Sequence, residues 1–266
     1  MGNITVSKEY VSENEYELFL TKNGIALLTS DIQMGILKEL KSSNLTLADL
    51  SRIMNISQST LATNLTKMTE EHLISSFPDS TDNRKMYYRT DSKMIASSQD
   101  PDLESQNAAK NILSTTAEDP NKFYKNILLY MLFSYEGDGL NLGPTSERIG
   151  MSLADSMKNE LKSSTVEDLI IKIKTFFAEM DVGELNVFTF IPLTLTLQSG
   201  LGLTKSSART LGRFAQGFFI AALKQHTGKD YQVVSSESFG KNEDIFKFTL
   251  DTPPRSNSDK VTRSPQ

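Results

Sequence analysis

The sequence predicts an α+β fold with two domains, each built from helices and strands. Apolar residues recur at helical spacing in some segments and alternate with polar residues in others, so both kinds of element are expected. A polar stretch bracketed by Pro101 and Pro120 divides the chain of 266 residues into two parts, each long enough to bury a core. We predict domains over 1–96 and 121–250, a linker over 97–120 and a disordered tail over 251–266.

The first 45 residues predict a hairpin followed by a helix. Asn23-Gly24 is a favoured pair for a tight turn because both positions accept positive φ, so Tyr16–Leu20 and Ile25–Thr29 are expected to pair. The alternative is one helix through both segments, broken at the glycine. Ser30–Lys41 then predicts a helix that is capped by its serine and turns its apolar residues inward.

The next segment predicts two short helices separated by a tight polar turn. Thr46 is placed to cap the first helix, and Ser57 is a good N-cap for the second. The second helix buries Leu61, Leu65 and Met68 at helical spacing. Its other face carries short hydroxyl and amide side chains, which can approach base edges and phosphates in the major groove. The predicted DNA-binding residues on this helix are Ser57, Gln58, Ser59, Thr60, Thr63, Asn64 and Lys67.

Two extended runs, Ile74–Phe77 and Met86–Arg89, follow the second helix and are joined by turn residues and basic side chains. This pattern predicts a β-hairpin that forms a wing. Arg84 and Lys85 complete the predicted DNA-binding set, with Arg84 at a phosphate or in the minor groove. Asp82 is placed to hold Arg84 in position.

Residues 30–95 resemble winged helix-turn-helix regulators of the ArsR and MarR type. The resemblance is carried by the helix pair LADLSRIMNISQSTLATNLTKM and by the wing sequence DNRKMYY, which is similar to the Asp-x-Arg wing of that group. It implies a regulator that binds double-stranded DNA sequence-specifically. The alternative is a three-helix module whose hairpin binds protein instead.

The charge of the chain limits how this module can bind DNA. The net charge is −5, and residues 1–96 contain 10 Lys and Arg against 12 Asp and Glu. Such a balance disfavours non-specific binding unless the cations gather on one face. Because a single module with so few cations should bind weakly, we predict a homodimer on a two-part site. The cations that would share a face are Arg52, Lys67, Arg84, Lys85, Arg89 and Lys93.

The second domain is predicted to follow the order helix, helix, helix, strand, strand, helix, strand, strand, with an antiparallel sheet. Its first helix, Lys122–Tyr135, is apolar on nearly every side, as expected in a core or at a dimer interface. A loop over Glu136–Gly143 follows. A helix over Leu103–Thr115 within the linker would either transmit a signal or act as a passive tether. The other predicted elements are helices over Ser146–Lys162, Ser164–Met180 and Ala208–Gln225 and strands over Leu185–Phe190, Leu193–Leu197, Tyr231–Ser235 and Ile245–Leu250.

The order of these elements resembles the 4-vinyl-reductase domain, a family related to sensor domains of aromatic-responsive activators and to the Bet3-like trafficking proteins. The resemblance rests on RIGMSLADSMKNEL, GELNV, GRFAQGFFIAAL and the closing hairpin YQVVSSES…IFKFTL. It implies a domain that dimerises, senses a small apolar or amphipathic effector, or does both. The alternative is a scaffold domain that binds a protein or peptide, as the Bet3-like proteins do. Aromatic residues are the expected pocket walls, and the predicted effector-binding residues are Phe176, Phe177, Phe214, Phe218, Phe219 and Phe246.

The residue types exclude several classes of site. The chain has no cysteine and only two histidines, His72 and His226, which excludes disulfides, thiolate metal sites and the zinc site of some 4-vinyl-reductase domains. No catalytic motif is present, so we predict no enzyme activity, no metal and no cofactor. No apolar run of about 18 residues and no signal peptide is found, which predicts a cytoplasmic protein without membrane contact. The abundance of Ser, Asn, Lys and Met suggests an AT-rich bacterial genome.

Overall fold

The computed structural model describes residues 15–80, 82, 84–116, 122–200, 202–239 and 245–252. The chain forms two compact units of mixed helix and sheet. Unit 1 is Met1–Pro101 with Gly139–Asn141, and unit 2 is Asp102–Asp138 with Leu142–Gln266. Apart from Asp251 and Thr252, the predicted disordered tail lies outside the described residues.

Unit 1 contains three helices and two small sheets among its described residues. One sheet has the strand order β2-β1-β6-β7, and the other has the order β3-β5-β4. The elements are β1 (Glu17–Thr21), β2 (Gly24–Leu28), α1 (Asp31–Leu40), β3 (Leu45–Thr46), α2 (Leu47–Met54), α3 (Gln58–Glu70), β4 (Ile74–Pro78), β5 (Met86–Thr90), β6 (Lys93–Ser98) and β7 (Leu140–Asn141).

The N-terminal hairpin prediction is confirmed, and the single-helix alternative is wrong. Strands β1 and β2 pair antiparallel with Thr21 opposite Gly24, and Gly24 has a φ of 114°. Glycine adopts this conformation without steric cost, which makes the turn tight. Ser30 occupies the N-cap position of α1, but its side chain makes no capping hydrogen bond.

A compact apolar core positions the helices of unit 1. Ile36 of α1, Leu50 of α2 and Leu61 of α3 are completely buried, and Leu65 and Met68 of α3 pack with them. One face of α3 is therefore fixed against the core, and its other face remains exposed to solvent. Strands β3, β6 and β7 were not predicted, because β3 and β7 have only two residues each and the adjacent apolar residues Met94–Ala96 of β6 show no alternation.

Unit 2 consists of helices packed on a four-stranded sheet. Its strands have the order β10-β11-β9-β8, and every neighbouring pair is antiparallel, as predicted. The elements are α4 (Leu103–Thr116), α5 (Phe123–Gly137), α6 (Gly143–Ser156), α7 (Val166–Glu179), β8 (Glu184–Phe190), β9 (Leu193–Gln198), α8 (Lys205–Thr227), β10 (Gln232–Phe239) and β11 (Ile245–Asp251).

Several predicted boundaries in unit 2 differ from the structure. Helix α6 ends at Ser156 rather than Lys162, because the residues that follow continue only as turns. The N-cap of α7 is Thr165, whose hydroxyl accepts from the backbone N–H of Asp168; Ser164 does not fill this role. Strand β10 is longer than predicted, because it pairs with β11 as far as Phe239.

The predicted linker, 97–120, does not form a separate segment where the structure describes it. Its first residues complete β6, and α4 belongs to unit 2. Helix α4 is tied to the end of α5, where the side-chain Nε2 of Gln106 donates to the carbonyl oxygen of Gly137 at 2.8 Å.

Helices α6 and α8 cross with their backbones in close contact at two glycines. A Cβ atom on Gly150 would overlap the carbonyl oxygen of Phe214, and one on Gly217 would overlap the carbonyl oxygen of Glu147. Any side chain at either position would therefore push the helices apart. This contact holds α8, the longest described helix, against α6.

We expect Gly217→Ala to lower the free energy of unfolding by about 2 kcal/mol, because the added methyl group overpacks the crossing. Helix propensity alone would favour alanine by about 0.5–1 kcal/mol, so a net loss would show that the clash dominates. Urea unfolding measures the difference. Gly200→Ala is the matched control, since a Cβ atom there meets no atom within 4 Å. Equal stabilities of the two variants would contradict a backbone contact at Gly217.

Candidate nucleic-acid interface

Ser57 caps the N-terminus of α3, as predicted. The Ser57 hydroxyl accepts from the backbone N–H of Thr60 at 3.2 Å and also hydrogen bonds with the hydroxyls of Ser59 and Thr60. The preceding turn is fixed by Asn55, which adopts a left-handed conformation with φ of 53°. Ser51 closes the turn by donating its hydroxyl to the carbonyl oxygen of Ile56 at 2.7 Å.

The outer face of α3 carries the predicted DNA-binding side chains. Asn64 is half-buried, and its Nδ2 donates to the carbonyl oxygen of Thr60 at 2.9 Å. The Thr63 hydroxyl likewise donates to the carbonyl oxygen of Ser59 at 3.2 Å. Such bonds within the helix orient these short side chains along its surface. The exposed members of the set are Ser57, Gln58, Ser59, Thr60, Thr63 and Lys67.

The wing places Arg84 at its tip, where Asp82 holds it. Strands β4 and β5 pair from Ile74 opposite Thr90 to Pro78 opposite Met86. The carboxylate of Asp82 accepts from the backbone N–H of Arg84 at 3.1 Å and from its Nε at 3.2 Å. The Arg84 side chain is 93% exposed, so its guanidinium is oriented but open to solvent.

Aromatic rings support two further cations along the wing. Phe77 and Tyr87 stack with their centroids 5.9 Å apart. Arg89 lies 5.6 Å above the Phe77 ring, and Lys85 lies 5.2 Å from the centroid of Tyr87. Interaction with the Tyr87 hydroxyl raises the pKa of Lys85. The role of Phe77 and Tyr87 as platforms could not be read from the sequence, because it depends on strand register.

A capping box fixes the start of α2 beside the wing sheet. The Thr46 hydroxyl accepts from the backbone N–H of Asp49, and the Asp49 carboxylate accepts from the backbone N–H of Thr46. These bonds hold the pKa of Asp49 below its usual range, with a smaller contribution from Arg52. Thr46 was predicted as the cap; the reciprocal bond from an aspartate was not predicted.

The cations predicted to share one face are all exposed side chains in unit 1. Some of their charge is already balanced within the unit. Arg52 pairs with Asp49 at 2.8 Å, and Lys67 lies 3.8 Å from Glu71. Together with the acidic residues of this unit, these pairs keep the local charge low.

The six phenylalanines predicted to bind an effector come together in unit 2, but they pack as a core. Phe177, Phe218 and Phe219 are completely buried, and Phe246 is nearly so. The rings of Phe176 and Phe218 stack with centroids 5.7 Å apart, and Phe177 contacts the other helical members of the cluster edge-on or tilted. Their binding of an effector stays a prediction, and it would require these rings to separate.

An open cleft of about 300 Å³ lies on the surface of unit 2 between the end of α6 and α7. Phe176 is the member of the phenylalanine cluster that borders it. Its remaining walls combine apolar and charged side chains: Met157, Glu160, Leu161, Ile171, Lys172, Thr175 and Glu179.

A buried carboxylate in unit 2 was not predicted. Glu136, expected in a loop, is the penultimate residue of α5 and is 1% exposed. Its carboxylate accepts from the hydroxyls of Ser207 and Thr210, which lie in the first turns of α8. Burial raises the pKa of Glu136, and the two hydroxyl donors partly offset this effect. The carboxylate therefore ties the end of α5 to the start of α8.

In the part of the chain that the structure describes, no group of three or more His, Cys, Asp and Glu residues is placed to hold a metal ion. None of the helices in that part is long and apolar enough to cross a bilayer.

No protein-family model matches the chain, and no curated protein is significantly similar to it in sequence. Similar solved structures include the adhesin competence repressor AdcR of Streptococcus pyogenes, with 16% identity and a TM-score of 0.23 over 57% of this chain and 81% of that one. The heme sensor protein PefR of Streptococcus agalactiae, solved with heme, has 14% identity and a TM-score of 0.22 over 57% of this chain and 75% of that one. At such low TM-scores, neither similarity decides the fold, a partner or a ligand.

We expect Thr46→Ala to lower the free energy of unfolding by about 1 kcal/mol, because the variant leaves the backbone N–H of Asp49 without its cap. Thermal unfolding measures the change. Thr46→Ser is the matched control, since it keeps the hydroxyl and should remain close to the unmodified protein. If both variants lost the same stability, the methyl group of Thr46 rather than its hydroxyl would account for the effect.

The raised pKa of Glu136 predicts how stability changes with pH. Because folding raises this pKa, the folded state resists deprotonation, and stability should fall as the pH rises from the ordinary glutamate pKa of 4.5 up to the raised folded pKa. Glu136→Gln removes the titrating group. Urea unfolding across this pH range should therefore give a flatter profile for the variant, and parallel profiles would show that Glu136 does not contribute.

Proposed function

We propose that the protein is a sequence-specific DNA-binding transcription regulator, with unit 1 as its DNA-binding part. The supporting observation is the combination of a polar, exposed face on α3 with a wing whose Arg84 is held by Asp82. Short hydroxyl and amide groups suit base edges, and an oriented guanidinium suits a phosphate or the minor groove. A solvated surface helix would usually carry more glutamate and lysine on that face.

In this proposal, α3 enters the major groove and presents Gln58 and Asn64 to base edges. The amide of Asn64 has two N–H groups, and only one is needed for its bond to Thr60. Its second N–H and its carbonyl oxygen can therefore contact a base. Arg84 and Lys85 of the wing bind the backbone, which sets the register of α3 without reading sequence.

The low charge of unit 1 supports a homodimer in this proposal. Each phosphate contact contributes a salt-dependent part of the affinity, and few exposed cations are available per copy. Two copies on a two-part site double these contacts and add the specificity of half-site spacing.

We propose that unit 2 couples an effector to DNA affinity. An effector that binds one dimer geometry better than another would change operator affinity by the same differential free energy, typically ~1–3 kcal/mol. A small apolar or amphipathic molecule is the candidate implied by the phenylalanine cluster. To enter this cluster, the molecule would have to separate the packed rings of Phe177 and Phe218. The free energy needed for that separation would lower its affinity.

The second candidate is a non-enzymatic scaffold whose unit 2 binds a protein or peptide. The tightly packed phenylalanine core and the open surface cleft beside Phe176 favour this function for unit 2. The two candidates overlap if the bound peptide is itself the signal. Native mass spectrometry of the purified protein, followed by fragmentation of any retained ligand, distinguishes them, because a peptide fragments into amino-acid residue masses and another small molecule does not.

An electrophoretic mobility shift assay with the DNA upstream of the protein's own gene tests the proposed DNA binding. Asn64→Ala should cost about 1–3 kcal/mol at one operator position and relax the preference there. Arg84→Ala should weaken binding to every sequence and reduce the slope of affinity against salt by about one. Lys158→Ala, an exposed cation in unit 2, is the matched control and should leave affinity unchanged.

The pattern of losses decides between the candidates. A uniform loss from Asn64→Ala would remove this residue from base recognition. No sequence-specific shift at any salt concentration would reject the regulator and leave unit 1 as a protein-binding module.

A further inference from the structure

Helix α5 exposes a continuous apolar stripe on one side of unit 2. Its members are Tyr124, Leu128, Met131 and Tyr135, which are 81%, 67%, 45% and 46% exposed. Their spacing of four, three and four residues keeps them within a narrow arc of the helix. Phe133, on the opposite side, is buried in unit 2. The helix is therefore anchored by one face and presents a second apolar face to solvent.

The four residues of the stripe have the same spacing, four, three and four, whether they are counted from the N-terminal or the C-terminal end of α5. A twofold axis at the centre of α5 would place Tyr124 of one copy beside Tyr135 of another, and Leu128 beside Met131. Each pair joins side chains of similar size, so two antiparallel copies of the stripe complement each other. Such self-complementarity is the requirement for an isologous dimer.

The charges at the two ends of α5 favour this antiparallel arrangement. Residues 126–135 contain no charged side chain. Lys125, which precedes the stripe, is already paired with Asp181 at 3.0 Å, whereas Asp138 follows the stripe at an exposed position. Antiparallel copies place the positive N-terminal end of one helix dipole beside the negative C-terminal end and Asp138 of the other helix, whereas parallel copies bring like ends together.

The exposed area of the stripe also fits a dimer. Four side chains of this size, exposed to this degree, present roughly 500 Å² per copy. A stable interface buries about 800 Å² on each partner, with its most apolar part at the centre. The stripe therefore supplies more than half of such an interface, and adjacent Phe123 extends it.

We propose that the α5 stripe is the self-association surface of this protein and that its occupant is the same stripe of a second copy, antiparallel about a twofold axis. The proposal rests on the homodimer of the proposed function, but not on DNA binding. It makes α5 both a packed helix of unit 2 and the centre of the dimer.

Sedimentation equilibrium of the full chain over a dilution series, without DNA, tests whether the α5 stripe is the dimer interface. Leu128→Glu places a charge in the stripe and should raise the dimer dissociation constant roughly 100-fold. Val234→Glu is the matched control, because Val234 is 52% exposed on β10 of the same unit and belongs neither to the stripe nor to the surface cleft. It should leave the dissociation constant unchanged. Circular dichroism establishes that both variants remain folded.

Cross-linking tests the antiparallel arrangement. The chain has no native cysteine, so each introduced one reports on a single position. Tyr124→Cys and Tyr135→Cys lie about 16 Å apart along the helix, too far to join within one copy. Under mild oxidation, antiparallel copies should cross-link only when the two variants are mixed. Cross-linking of each variant with itself would instead indicate parallel copies and overturn the arrangement.

A monomeric unmodified protein would overturn the proposal, whatever else covers the stripe. A Leu128→Glu variant that dimerises as tightly as the unmodified protein would also overturn it, and so would a Val234→Glu variant whose dimer is weakened as much as that of Leu128→Glu. Because DNA is absent, the result is separate from the proposed regulator. A protein that dimerises through α5 but binds no DNA would keep this surface and reject the regulator.

Discussion

The close backbone contact between α6 and α8 is the constraint on which unit 2 depends. At Gly150 and Gly217 the two helices approach until each glycine meets the backbone of the other helix, so no side chain fits between them. This approach sets the position of α8, and with it the positions of Phe218 and Phe219, around which the aromatic core assembles. The start of α8 is in turn tied to α5 through the buried Glu136. Helix α5 is thus held rigidly enough to present an exposed apolar face.

Unit 1 is organised differently, because its small core covers one face of α3 and leaves the opposite face exposed. Leu61, Leu65 and Met68 fix the inner side of α3, and Ser57 fixes its first turn. The wing is stiffened by stacked Phe77 and Tyr87, and Asp82 orients Arg84 at its tip. Polar groups that would contact DNA are therefore arranged before any contact is made, which lowers the ordering cost of binding.

Most elements of both units, though not β3, β6 and β7, followed from local sequence, because their signals are local. The turn at Asn23-Gly24, the caps at Thr46 and Ser57, and the alternation in β9 each depend on a few neighbouring residues. The candidate DNA-binding face followed for the same reason: helical spacing alone separates Leu61 and Leu65 from the polar residues between them. The first and last residues of the elements were predicted less accurately. For α6, Leu161 continues the apolar spacing beyond Ser156, where the helix itself has ended.

The sequence by itself determined most of the helices and strands and, for the amphipathic helices, which side is apolar. Only the tertiary structure decided what each apolar side faces. The phenylalanines predicted as pocket walls pack against one another because α7 and α8 meet there, while the equally apolar α5 keeps Tyr124 and Leu128 exposed. Glu136 became a buried carboxylate only because α8 brings two hydroxyls to it from more than seventy residues away. Periodicity in the sequence indicates that a helix or strand has an apolar face, but contacts between distant segments of the chain decide what packs against that face.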